Sequence, residues 1–220
     1  MKSKRSKELV MKVLGGVFGV IFLAGSFTQL ADMFQPSPEQ LIGRAEKAMQ
    51  EQKYDEALIL LDQVAEKTPK DARIYAVKGT VYRRQKDYEN AKTAYERSGK
   101  LGSQDARVYE SLALTYLALE ETDKAGTAFE QALQKNPTDV MLNNNLGVFY
   151  SQQKDYTQAE RYYQQALRLR PNFADAHLNL GVLYRAQGDM KKAVKSFKTY
   201  LELNPQAPEK AEIEKWLKGQ

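Results

Sequence analysis

The chain repeats itself every 34 residues, and this period restricts its possible folds more than any other feature. Alanine recurs at Ala57, Ala91, Ala125, Ala159 and Ala193. A small residue recurs at Ala45, Gly79, Ala113, Gly147 and Gly181, and a bulky one at Leu61, Tyr95, Phe129, Tyr163 and Phe197. Tyrosine recurs at Tyr82, Tyr116, Tyr150 and Tyr184, with Ala48 in the first register. Proline recurs at Pro69, Pro137, Pro171 and Pro205, with Ser103 in the slot that lacks it. These columns stay in step without an insertion over five registers, 38–71, 72–105, 106–139, 140–173 and 174–207.

Each register reads as two amphipathic helices, A and B. The small residue in helix A and the alanine in helix B leave room for two backbones to approach, and the tyrosine and bulky residue fill the space that remains. Proline stops helix B because it has no N–H for the next hydrogen bond. Asp87, Asp155 and Asp189 stand where helix B begins, and aspartate is a good N-cap. Gln158, three residues after Asp155, is placed to close a capping box. One such pair cannot bury its apolar face, so stacked neighbours must build the core and a polar-backed helix must end it. Residues 208–220 supply that helix, with Ile213, Trp216 and Leu217 on one side and Glu209, Glu212, Glu214 and Lys215 largely on the other. The single tryptophan therefore reads as packing.

In period, spacing and residue type the columns resemble the tetratricopeptide repeat (TPR) family. The resemblance implies an all-α, right-handed solenoid of five helix-turn-helix repeats that binds other proteins and is not an enzyme. It also implies that helices A line a concave groove, exposing the second, fifth, sixth, ninth, twelfth and thirteenth positions of each repeat. Repeats two and three place Arg73, Arg83, Arg84 and Arg107 there, with Glu110 among them. Repeats four and five place Asn144, Asn145, Gln152, Asn179 and Arg185 there, beside apolar Val148, Leu178 and Val182. Asn145 and Asn179 share the sixth position, where peptide-binding members of the family often carry asparagine. A carboxamide holds both a donor and an acceptor and so matches an extended peptide backbone. The other reading of these asparagines is a bond to the neighbouring repeat. The arginines suit carboxylates, which a guanidinium meets two bonds at a time. The family's carboxylate clamp is missing, since Ile42, Glu46, Ala76, Thr80, Glu110 and Leu114 occupy its positions.

The net charge is +5, of which residues 1–12 carry +4. The remainder is close to neutral, so it lacks the positive field that nucleic-acid binding requires, and no nucleic-acid partner is expected. From Leu9 to Ala31 the only charge is Lys12. That length reaches the roughly 20 residues a helix needs to cross the hydrocarbon core, and Lys12 is near enough to one end to snorkel. The basic flank predicts a cytoplasmic tail over 1–12, a transmembrane signal anchor over 13–31, a linker over 32–37, and the repeats on the trans side, in the periplasm or its equivalent. The alternative is a signal peptide cleaved near Ser26, which exports the same body. Gly15 and Gly19 form a GxxxG pair that predicts weak self-association of anchors. This layout is similar to that of membrane-anchored bacterial TPR proteins.

Without cysteine the chain has no disulfide, thiolate zinc site or cysteine nucleophile. Its one histidine, His177, stands at the fourth position of repeat five, where Leu41, Tyr75, Tyr109 and Asn143 stand in the others, and so reads as packing. With no His or Cys partner it builds neither a metal site nor a nucleophilic triad, and no cofactor is expected. The glycine-rich run Ser98–Ser103 lacks phosphate-loop spacing and falls where repeat two passes into three, so it reads as a helix terminus. The function expected is a membrane-anchored scaffold that binds an extended protein segment in its groove, in assembly of a membrane-associated complex. The alternative is a self-assembling scaffold built by repeat-to-repeat packing.

Overall fold

The computed structural model describes residues 36–220. They form eleven α-helices and no strand: α1 (Pro38–Gln50), α2 (Tyr54–Lys67), α3 (Ala72–Arg84), α4 (Tyr88–Lys100), α5 (Ala106–Ala118), α6 (Thr122–Lys135), α7 (Val140–Gln152), α8 (Tyr156–Leu169), α9 (Ala174–Gln187), α10 (Met190–Leu203) and α11 (Lys210–Lys218). The expected anchor over 13–31, with Gly15 and Gly19, lies outside the described residues. Among the described residues, no helix is long and apolar enough to cross a membrane.

In three of the five repeats the helices pair where a ring lies flat on a bare backbone. A Cβ built on Gly79, Gly147 or Gly181 would sit 2.6, 2.5 or 2.6 Å from the ring of Tyr95, Tyr163 or Phe197. Repeat one sets Ala45 against the smaller Leu61, and both are fully buried. The alanines Ala57, Ala91, Ala125, Ala159 and Ala193 are likewise without exposure. In every repeat the tight turn before helix B takes positive φ at the fifteenth position: Gln52, Lys86, Glu120, Lys154 and Gly188. Only the last is glycine, so four repeats hold a side chain in the left-handed region, at roughly 1–2 kcal/mol each.

Caps fix the helix ends. Asp87, Asp155 and Asp189 accept from the N–H of Asn90, Gln158 and Lys192 at 3.2, 3.1 and 3.1 Å. The box expected at Asp155 does not close, because Gln158 Oε1 is buried without a partner among the described residues. A complete capping box forms instead at Ser37 and Gln40, ahead of α1. Asp71, Asp105 and Asp139 cap α3, α5 and α7 in the same way. At Ser103, where proline is missing, Gly102 takes φ +83° and ends α4, as expected of a helix terminus.

Successive repeats are pinned by polar bonds as well as by the core. Tyr116, Tyr150 and Tyr184 donate to Glu96, Glu130 and Glu160 of the preceding repeat at 2.8, 3.1 and 2.6 Å. Burial, reinforced by the carboxylate, pushes the Tyr150 and Tyr184 hydroxyls up to about 12, so they stay donors at neutral pH. The fourth-position residues form a second series. Tyr75, Tyr109, Asn143 and His177 bond to the carbonyls of Pro69, Ser103, Pro137 and Pro171 at 3.1, 3.0, 3.3 and 2.9 Å. A carbonyl only accepts, so His177 Nε2 carries the proton. The histidine thus ties a helix to the turn before it.

The stack is closed at both ends. Positions buried in α7 as Leu142, Leu146 and Phe149 are exposed Gln40, Arg44 and Lys47 in α1. At the other end Trp216 of α11 meets the Phe197 ring edge-on at 5.2 Å, and Tyr200 donates to Glu209 at 2.9 Å. Odd helices touch one another, as in α1–α3, α3–α5 and α7–α9, while even helices make their contacts with odd ones. The odd helices therefore line the closer, inner side.

Glycines with and without a ring above them should respond oppositely to a methyl group. Gly147→Ala loses about 1–3 kcal/mol through overpacking against Tyr163, whereas Gly43→Ala, where nothing lies within 4 Å, gains about 0.5–1 kcal/mol. Denaturant unfolding reads both, and equal effects would remove the ring contact as the cause. Lys154→Gly relieves a left-handed side chain and gains about 0.5–1 kcal/mol net of glycine's entropy. A loss would mean that the Lys154 turn is not strained.

Candidate functional site

The inner face is built from α1, α3, α5, α7 and α9, and its chemistry changes along the stack. Leu114, Val148 and Val182 recur at the ninth position, 34 residues apart, and form an apolar track across α5, α7 and α9. Leu114 and Val182 are 41% and 43% exposed, unusually open for large apolar side chains, and Met141 on the same side is 54% exposed. Half-buried Leu117 and Leu178 widen the track. In α1 and α3 the ninth position is instead Glu46 and Thr80.

The asparagines form a ladder between repeats. Asn145 Nδ2 donates to Glu110 Oε1 at 2.8 Å, and Asn179 Nδ2 donates to Asn144 Oδ1 at 2.9 Å. Each bond joins the sixth position of one repeat to the fifth of the one before. Asn144 is buried and Asn145 and Asn179 are half-buried. The ladder uses one N–H of each donor and leaves its carbonyl oxygen and second N–H on the inner face. Asn143 is turned away and donates to the Asp139 carbonyl at 2.7 Å.

The arginines divide into two sets. Arg73 and Arg107 fold back on the aspartates that cap their own helices, with Nη2 to Asp71 Oδ2 at 2.6 Å and to Asp105 Oδ2 at 2.8 Å. These side-chain bonds hold both carboxyls below the usual carboxylate range. Arg83 is half-buried at the end of α3, and its Nε is buried without a partner among the described residues. Arg84 beside it is exposed and, among the described residues, makes no ion pair or hydrogen bond. Three repeats further on, Arg185 lies over the Phe197 ring at 5.8 Å. The structure thus places Arg83 and Arg84 at the charged end of the face and Asn144, Asn145 and Asn179 along the apolar end. Arg73 and Arg107 sit at its N-terminal rim, already engaged.

Leu114 and Met141 are open apolar side chains on this face that sequence reasoning missed. Leu114 was legible, because it shares a 34-residue column with Val148 and Val182; Met141 has no such column. Among the described residues, no cluster of three or more His, Asp or Glu side chains is placed to hold a metal ion.

An open face with apolar, carboxamide and guanidinium stretches on a stacked helical array defines a repeat-type binding scaffold. Residues 145–208 and 128–161 match tetratricopeptide repeat families, and residues 50–132 match the family of anaphase-promoting complex, cyclosome, subunit 3. The repeats over residues 128–208 belong to the tetratricopeptide repeat family. No enzyme family is indicated. No curated protein matches the chain significantly. Solved structures share the fold. YrrB, described as a TPR protein with an unusual peptide-binding site, superposes with a TM-score of 0.71 at 21% identity, over 86% of this chain and 97% of its own. MamA gives 0.69 at 22% identity, over 74% and 95%. PilF of Pseudomonas aeruginosa gives 0.66 at 20% identity, over 77% and 78%.

Removing a rung of the ladder has a measurable cost. Asn179→Ala leaves the buried Asn144 carbonyl without its donor and costs about 1–3 kcal/mol, while Arg84→Ala changes stability by less than about 0.5 kcal/mol. If denaturant unfolding shows Asn179→Ala to be as silent as Arg84→Ala, the ladder contributes nothing and the asparagines are free groove residues.

Proposed function

We propose that the protein is a scaffold that binds an extended segment of a partner protein along its inner face and is held at a membrane by residues 13–31. The observation that carries this reading is the apolar track of exposed Leu114 and Val182 with half-buried Val148 between them, flanked by half-buried carboxamides whose carbonyl oxygens remain unused. Apolar side chains in register over three successive repeats, two of them exposed and the middle one half-buried, favour a ligand that also repeats, and an extended peptide does. Its N–H groups meet the Asn145 and Asn179 oxygens, and its apolar side chains lie on the track. Arg83 and Arg84, at the α3 end, select a carboxylate there, either an acidic side chain or a chain terminus. Arg73 and Arg107 give less, because their aspartates already occupy them. The peptide-binding site ascribed to YrrB, on the same fold, supports this use of the array.

The membrane part rests on the basic residues before Val13 and the charge-poor stretch after it, a pattern that favours the repeats on the trans side. A scaffold so displayed serves assembly of a membrane-associated complex.

The test pans a displayed peptide library on the full chain in non-ionic detergent and measures the enriched peptide by fluorescence anisotropy. Leu114→Asp with Val182→Asp weakens it at least about 10-fold, equivalent to about 1.4 kcal/mol. Arg83→Ala with Arg84→Ala weakens only peptides bearing a carboxylate at that end, and the loss shrinks at high salt. Peptides that bind these variants like the parent would put the binding surface elsewhere.

A further inference from the structure

The outer side of the solenoid has a charge order of its own. Positions 18, 22, 25 and 29 of each repeat share one face of helix B, by the i, i+4, i+7, i+11 spacing. On α2 they are Asp55, Ile59, Asp62 and Glu66; on α10 they are Lys191, Lys195, Lys198 and Glu202, and all are exposed. Between them α4 carries Glu89, Glu96 and Lys100 and α6 carries Asp123 and Glu130, and the ridge turns basic at Arg161 and Arg168 on α8. One end of the convex face is thus an acidic stripe and the other a basic one, in the same repeat positions.

Neither stripe is used up among the described residues. Lys191, Lys195 and Lys198 make no ion pair there; Asp189, near Lys191, is bridged by Lys192 instead. On α2, Asp62 takes Lys78, whose side chain is mostly buried, and stays 63% exposed itself, while Asp55 accepts only from Gln85, at 3.2 Å. Between the two aspartates stands Ile59, 59% exposed, the most open large apolar side chain among the described residues.

We infer that these ends dock on each other between copies, α2 of one molecule against α10 of a second. Asp55 and Asp62 are seven residues apart, as are Lys191 and Lys198, which sets both pairs on the same spacing of about 10 Å along a helix. When the pairs face, Ile59 comes opposite Lys195, whose methylene stem covers it while the ammonium reaches water. An anionic membrane or nucleic acid would attract α8 and α10 but repel α2, and would leave Ile59 bare. A second copy satisfies both stripes at once. The contact is polar, so it is weak and sensitive to salt. It is independent of the inner face and leaves the groove open.

The chain contains no cysteine, so introduced ones report contacts without background. Full-length Ile59→Cys and Lys195→Cys variants are mixed in non-ionic detergent under mild oxidation. A mixed disulfide dimer forms at about 0.01 M salt and is at least about 10-fold reduced at about 1 M, where the Debye length falls to about 3 Å. Neither variant forms a homodimer of its own. Adding Lys191→Glu and Lys198→Glu to the Lys195→Cys chain abolishes the product, and adding Asp55→Lys and Asp62→Lys to the Ile59→Cys chain then restores it. Equal cross-linking in every combination, or loss without restoration, overturns the contact. Binding to phosphatidylserine vesicles that Lys191→Glu and Lys198→Glu remove, with no mixed dimer, overturns it as well and gives the basic stripe to a membrane.

Discussion

In three of the five repeats an aromatic ring of helix B rests on the α-carbon of a glycine in helix A, so close that a methyl group would fall 2.5–2.6 Å from ring carbons. That contact fixes how far apart the two helices lie and how they cross. Because it recurs at a constant interval, it also fixes how each repeat hands on to the next. The inner face is a consequence. A residue at the ninth position of helix A emerges beside its counterparts in every repeat, and Leu114, Val148 and Val182 become a track through the stacking of the repeats. The tyrosine–glutamate and asparagine bonds between repeats keep that arrangement from sliding.

The period carried the helices, their pairing and most of the core. It carried less of the site, for reasons particular to each residue. Asn145 and Asn179 are polar whether they face a peptide or a neighbour, and composition cannot tell these apart. What decides is Glu110 and Asn144, each one repeat and one residue upstream, where a donor finds an acceptor. Arg73 and Arg107 were easier than they looked, because each follows an aspartate by two residues and that aspartate caps the helix they share. The four left-handed residues Gln52, Lys86, Glu120 and Lys154 were hidden because nothing in their side chains asks for that conformation; only Gly188 announces it. Tyr184 shows the opposite case. Its preceding repeat has Gln164 where Glu96 and Glu130 stand in the others, and the hydroxyl reaches Glu160 one turn earlier. The fold tolerates the change because a helix brings both positions to the same face.

Two surfaces with different chemistry thus share one array. The inner face combines apolar contact with unused amide groups and a pair of arginines, which suits an extended peptide with apolar side chains and one charged end. The outer face is organised by charge, which suits selection and orientation more than strength. If copies align through their outer stripes, several inner faces are presented together and a partner with repeated segments gains avidity without any new contact. Both uses depend on the repeats remaining one continuous body, and the polar face of α1 and the helix α11 end that body cleanly.

The function proposed for the array stands or falls on partners binding its inner face. A photo-reactive residue placed singly at Val148, at Val182 or at the outer position Thr127 of the full chain in its native membrane tests this most directly. Partner cross-links from Val148 and Val182 that map to one extended segment, with none from Thr127, are the expected result. Cross-links to that same partner from Thr127, with Val148 and Val182 silent, would contradict it.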